Sequence, residues 1–127
     1  MKEAVLDATA LLALLHDEPG AEVVAEALPH SSISTVNLAE VIGKLVDSGL
    51  PEEDIRTALA GLGIEVIPFD DDLAYRTGLL RNITSPYGLS LGDRACLALG
   101  LRLGQPVLTA DRIWATLKVG VKIRVIR

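Results

Sequence analysis

Ala4-Val5-Leu6-Asp7-Ala8-Thr9-Ala10-Leu11-Leu12 is an apolar run with a single carboxylate in its middle. Residues 3–6 have the length and apolar content of a short buried strand. Residues 8–15 read as an apolar helix, broken at Glu18-Pro19-Gly20. Asp7 therefore stands where a strand ends and a helix begins. A lone carboxylate between apolar neighbours is costly unless it is paired, capped or metal-bound. The plainest account of it is an N-cap for the helix opening at Ala8.

The same alternation continues outward from this segment. A helix over 21–28 stops near Pro29, a strand covers 31–34, and a helix over 35–47 closes at Ser48-Gly49. Pro51-Glu52-Glu53-Asp54 opens another helix, with proline at its start and acids in its first turn, and Gly61 and Gly63 end it. A strand is expected over 64–69, a helix from Asp70-Asp71-Asp72 to about Asn82, and a loop over 84–88. Ser90 starts a helix to about Leu103, followed by a strand over 106–109, a short helix over 112–117 and a last strand over 122–126. Strands alternating with helices predict an α/β fold, a mainly parallel sheet with helices on both faces, in one domain spanning 1–127. In such sheets ligands gather beyond the C-terminal ends of the strands. Asp7 and Asp111 both fall at or just past such ends.

The chain has 127 residues, half of them hydrophobic, enough to bury a core and too apolar for disorder. No run approaches the roughly 20 apolar residues that span a bilayer. The start Met1-Lys2-Glu3 lacks the basic region and cleavage site of a signal peptide. The one cysteine, Cys96, has no internal disulfide partner. A cytoplasmic protein is expected, with no membrane partner. Charge is divided unevenly. Residues 1–72 carry 15 Asp/Glu and 3 Lys/Arg, whereas residues 73–127 carry 2 Asp/Glu and 9 Lys/Arg. A basic half attracts phosphate, while a net charge of −5 argues against indiscriminate nucleic-acid binding. The two acids of the basic half, Asp93 and Asp111, call for explanation.

Each acid has a local account. Glu40 lies mid-helix on a polar stripe with Asn37, Lys44 and Asp47, opposite Leu38, Ile42, Leu45 and Val46, and an exposed pair with Lys44 at i,i+4 would explain it. Asp93 follows Ser90-Leu91-Gly92, the spacing of a capping box. Asp111 can cap the helix at Arg112, and Thr109 either supports a carboxylate or ends its strand. Together the acids number two at strand ends and two on helices, all able to meet at one rim. Such a set repels itself, by about 4 kcal/mol for a pair 4 Å apart at an effective dielectric near 20. Either some stay protonated or a divalent cation neutralises them, and oxygen-only ligands suit Mg²⁺ or Mn²⁺.

At this point the residues match a family. Val5-Leu6-Asp7-Ala8-Thr9-Ala10-Leu11-Leu12, Ser34-Thr35-Val36-Asn37-Leu38-Ala39-Glu40-Val41, Leu91-Gly92-Asp93-Arg94-Ala95-Cys96-Leu97-Ala98 and Val107-Leu108-Thr109-Ala110-Asp111-Arg112-Ile113-Trp114 resemble, in order, the four acidic segments of the PIN domain. They resemble most closely the VapC-type toxins of type II toxin–antitoxin systems. The resemblance runs from about residue 3 to the C-terminus, and all four acidic positions are intact. It implies a PIN-like three-layer sandwich with a five-stranded, mainly parallel sheet. It implies a hydrolase, a Mg²⁺- or Mn²⁺-dependent endoribonuclease that cuts RNA phosphodiester bonds, forms a homodimer and is silenced by a cognate antitoxin protein. Carried over by position, Asp7, Glu40, Asp93 and Asp111 become the catalytic, metal-binding set, with Asp7 and Asp93 central. Thr109 is a supporting residue, and Thr9 and Asn37 are weaker ones. An antitoxin tail that places an Arg or Lys among the acids would meet the same charge requirement as the metal.

Arg94 and Arg112 are candidates to guide the RNA backbone, with a solvated surface or, for Arg94, a neighbouring acid as the alternative. Trp114 either stacks on a base or packs within the core or a dimer face. Two other readings remain. One is a PIN-fold binding module without catalysis. The other is an aspartyl phosphatase with Asp7 as nucleophile, or a related phospho-receiver. A phosphatase of the haloacid-dehalogenase type calls for a second Asp where Thr9 stands, and a receiver calls for a Lys after a late strand, where 106–110 supplies none.

Overall fold

The computed structural model describes residues 3–127; Met1 and Lys2, part of the expected 1–127 domain and of the N-terminal segment read above, lie outside the described residues. The elements run β1 (Ala4–Leu6), α1 (Ala8–Leu15), α2 (Ala21–Ala27), β2 (Ser31–Ser34), α3 (Thr35–Asp47), α4 (Glu52–Ala60), β3 (Glu65–Ile67), α5 (Asp71–Leu79), α6 (Arg81–Thr84), α7 (Leu91–Leu103), β4 (Val107–Thr109) and β5 (Ile123–Val125). Short 3-10 turns cover Leu28–His30, Ser85–Tyr87 and Arg112–Thr116.

The sheet has five strands in the order β3-β2-β1-β4-β5. Every pairing is parallel, with Val5 opposite both Ser32 and Val107. Parallel neighbours require crossovers, and the helices supply them on both faces. Because side chains alternate along a strand, β1 feeds two cores. Ala4 and Leu6 pack with Ala10, Leu11, Val24, Ile33, Val41 and Leu45 beneath α1 to α4. Val5 packs with Leu73, Leu97, Leu99, Val107 and Trp114 beneath α5 and α7. The result is the three-layer α/β sandwich with a five-stranded sheet that the sequence and its PIN resemblance implied. No helix among the described residues is long and apolar enough to cross a membrane.

Differences from the sequence expectation lie at element ends. The strand expected over 64–69 is shorter, because the Phe69 amide donates to Thr35 Oγ1 at 3.1 Å and leaves the ladder. The helix expected to run to Asn82 breaks at Leu80, and α6 restarts at Arg81. The expected loop after it contains a 3-10 turn with Pro86 in its first positions. The short helix near Arg112 is a 3-10 turn.

The strand order decides where a site can form. From β1 the chain moves outward through β2 to β3, then returns to the other side of β1 for β4 and β5. The reversal falls between β1 and β4, and in sheets of this kind ligands bind beyond the C-terminal ends of the strands at that point. Asp7 follows β1 directly, and Asp111 lies two residues past β4.

Candidate active site

Asp7 is 3 % exposed. Its Oδ1 accepts from the Ala10 amide at 2.8 Å and from Thr9 Oγ1 at 2.7 Å. Its Oδ2 accepts from the buried Thr109 hydroxyl at 2.5 Å. The cap expected from sequence is thus present, but it occupies only one of the two oxygens. Burial pushes the Asp7 carboxyl up to about 6; hydrogen bonds from Thr109, Ala10 and Thr9 pull it down, and the charge of Asp93 adds to the rise. Asp7 is therefore a carboxylate that its own scaffold holds reluctantly in the charged form.

The two threonines join the ends of β1 and β4. Thr9 Oγ1 accepts from the Ala110 amide at 2.9 Å and stands 3.4 Å from Thr109 Oγ1. Thr109 Oγ1 also accepts from the Asp111 amide at 3.1 Å. Asp111 in turn caps the turn that follows it, its Oδ1 accepting from the Ile113 amide at 3.0 Å.

Glu40 on α3 meets the start of α7. Its carboxylate accepts from Asn37 Nδ2 at 2.9 Å, and the same amide nitrogen donates to the Gly92 carbonyl at 3.0 Å. Glu40 lies so close over Gly92 that a Cβ there would stand 2.5 Å from both carboxylate oxygens. The expected ion pair of Glu40 with Lys44 is absent among the described residues. Asn37, placed by sequence on a polar stripe, is 1 % exposed and bridges α3 to α7, whereas Val46, expected opposite that stripe, is 56 % exposed. Both corrections have one cause: α3 turns its Asn37-Val41-Leu45 stripe inward, because α7 covers its first turn.

Asp93 completes the capping box, its Oδ2 accepting from the Ser90 amide at 3.0 Å while its own amide donates to Ser90 Oγ at 3.1 Å. One helical turn further on, Cys96 is fully buried. Burial first, then the charges of Asp7, Asp93 and Glu40, push its thiol well above the usual range. Asp111 meets Thr109 through its backbone amide, while its carboxylate caps the Ile113 amide. Each carboxylate is held by its own local donors. Among the described residues no three Asp, Glu, His or Cys side chains close on one point tightly enough to hold a metal ion. Even so, the donor set is all oxygen, and Asp7 is a buried anion for which a divalent cation would be the natural counter-charge. On that chemistry the residues fit Mg²⁺ or Mn²⁺.

The two expected guides, Arg94 and Arg112, occupy different environments. Arg94 is buried and donates from Nη1 to the Thr77 carbonyl at 3.0 Å, and among the described residues it pairs with no acid. Arg112 is exposed and donates to the Arg127 carbonyl at 3.2 Å. Trp114 is fully buried, so it is a core residue and presents no face for stacking. Gly92 was missed by sequence reasoning. Its signal was a residue without a side chain directly before the acid in Ser90-Leu91-Gly92-Asp93, at a place where another helix must come close.

The sequence matches the PIN domain family model over residues 4–119. Among curated proteins, none matches it. Solved structures with the same fold include the DNA-bound VapBC of Salmonella typhimurium, at 20 % identity and TM-score 0.77, covering 100 % of both chains. A toxin–antitoxin complex from Klebsiella pneumoniae aligns at 26 % identity and TM-score 0.73, over 91 % of this chain and 92 % of that one. VapBC-5 from Mycobacterium tuberculosis aligns at 23 % identity and TM-score 0.60, over 100 % of this chain and 99 % of that one. With the strand order, the carboxylates at its reversal point and a family match over nearly the whole sequence in agreement, the chain belongs to the PIN domain family.

Proposed function

We propose that this chain is the toxin of a toxin–antitoxin pair and acts as a Mg²⁺- or Mn²⁺-dependent endoribonuclease. The reading is supported by Asp7, buried and held by Thr9 and Thr109 where β1 and β4 end, and by Glu40, held over Gly92 directly before Asp93 at the start of α7. Asp7, Glu40, Asp93 and Asp111 would hold the metal. When bound, such an ion supplies charge stabilisation at a scissile phosphate and lowers the pKa of water for attack. The protein's part is orientation. Thr9 and Thr109 fix both oxygens of Asp7, Asn37 fixes Glu40 against Gly92, and Ser90 fixes Asp93. These are the supporting contacts that hold a ligand set in place.

The partners follow the same reading: an RNA substrate, a cognate antitoxin protein and a second copy of the chain, in the cytoplasm. An apolar groove of about 720 Å³ between α3 and α4, lined by Leu38, Ile42, Val46, Leu50, Ile55 and Leu59, supports a protein partner. So do Tyr75, Leu79 and Ile83, exposed one turn apart along α5 and α6.

The test is cleavage of structured RNAs by purified protein in Mn²⁺, Mg²⁺ or EDTA, beside Asp93→Asn prepared identically. Asn keeps an acceptor for the Ser90 amide, so the fold should persist. Discrete cuts that need metal and vanish in the variant are expected. Cuts that persist in EDTA, or equal rates in the variant, would refute the proposal.

A further inference from the structure

Among the described residues, the arginine that follows Asp93 forms no ion pair. Arg94, the residue after Asp93, is 8 % exposed. One carbonyl, that of Thr77, accepts from it, and among the described residues no carboxylate pairs with it. A guanidinium offers five donors, and burying its charge unanswered is costly. Its position adds to the imbalance. Arg94 lies in the first turn of a thirteen-residue helix, where the backbone's own partial charge is positive.

Arg94 backs a cavity of about 320 Å³ whose wall also holds Arg81, Ser85, Gly88 and Ser90. No acidic side chain lines it. Arg81 is exposed and likewise has no ion-pair partner among the described residues. Ser90 Oγ already accepts from the Asp93 amide, so its O–H is free to donate. Gly88, at positive φ, leaves open space where a side chain would stand. Two arginines, two serines and a helix start thus line one space, the donor types that recognise a phosphate.

We infer that the cavity of Arg81, Arg94, Ser85 and Ser90 is an anion site that seats a non-scissile phosphate of the substrate strand. Ser90 belongs both to this wall and to the capping box of Asp93, so a group held here adjoins the acidic rim. The site would repay Arg94 its missing counter-charge and set the direction in which the strand crosses Asp93. That the phosphate is one of an RNA strand rests on the nuclease reading; that the cavity takes phosphate does not.

The test uses the whole chain in EDTA, so that no cleavage intervenes. Inorganic phosphate is titrated against chloride at equal ionic strength, with melting temperature as readout. A short single-stranded RNA is titrated by fluorescence anisotropy at several salt concentrations. The variants are Arg81→Gln, at an exposed position, and Ser85→Asp, which puts an anion in the cavity. Wild type should melt higher in phosphate than in chloride, and both variants should lose that difference. Both should bind RNA about ten-fold more weakly, the size expected of a charge-assisted contact. The salt slope of Arg81→Gln should be shallower by about 0.7. Equal melting in both salts together with wild-type RNA affinity in both variants would overturn the site. Loss of the phosphate effect with unchanged RNA binding would assign the cavity to free phosphate and overturn its place on the strand. Dissociation of a dimer in Arg81→Gln with unchanged RNA binding would instead assign it to a carboxylate of a second copy. A protein that passes these tests yet cuts no RNA would keep the anion site and lose the nuclease reading.

Discussion

Replacing Asp7 with Asn should stabilise the metal-free protein at neutral pH. The Asp7 carboxyl titrates at about 6 in the fold against 3.8 in the ordinary state, chiefly because it is buried. A raised carboxyl is bound by its proton more tightly in the folded chain. Its contribution is therefore harmless below pH 3.8, erodes stability as pH rises through about 6, and stays as a fixed penalty above that. The gap of roughly 2 units, at 1.36 kcal/mol each, makes this penalty about 3 kcal/mol at pH 7.5 and about 1 kcal/mol at pH 4.5. Asn is neutral at both. It keeps an acceptor for Thr9 and the Ala10 amide, and its own amide meets a Thr109 hydroxyl able to accept. Any cost of burying the new amide is independent of pH, so the advantage of the variant should grow by about 2 kcal/mol between the two pH values. For a domain of this size, that is a rise of roughly 5–10 °C in relative melting temperature. Denaturant melts of both proteins in EDTA at pH 4.5 and 7.5 measure it. A variant destabilised equally at both pH values would refute the claim that Asp7 is held as a strained anion.

Gly92→Ala should leave the helix intact, since Gly92 sits in α7 with ordinary helical geometry, but its Cβ would drive Glu40 aside. Cleavage should fall on the order of 100-fold for a displacement near 1 Å, with unchanged circular dichroism; wild-type cleavage would show that Glu40 need not lie where it does. Trp114→Ala should cost about 3–5 kcal/mol in denaturant melts, because the indole is fully buried in the core beneath α7; a loss under 1 kcal/mol would show that the site can be vacated without repacking.

The sheet was legible because each strand carried its own punctuation. Asp7 after Leu6, Ser34 before Thr35 and Gly104 before the last strand pair all mark turns that depend on local chemistry alone. Asp7 and Asp111 stood out for a related reason, since polar residues at strand ends contrast with apolar runs, whereas Glu40 and Asp93 lie within helices and carry no such mark. What escaped depends on contacts distant in sequence. Nothing in residues 35–47 says that α7 will cover Asn37 rather than Lys44, because that contact joins positions 55 apart. Arg94 looked like a surface cation for the same reason: its burial is set by α5, whose Thr77 carbonyl receives it. The break at Leu80 leaves no mark stronger than the later Pro86.

Calorimetric titration of Mn²⁺ into the metal-free protein, beside Asp7→Asn and Asp93→Asn, tests the four-carboxylate site most directly. The account predicts saturable binding in the wild type, a gain of about 2.7 kcal/mol in stability at 100 times the dissociation constant, and loss of both in the two variants. Binding of equal strength in all three proteins, or none in the wild type, would contradict it.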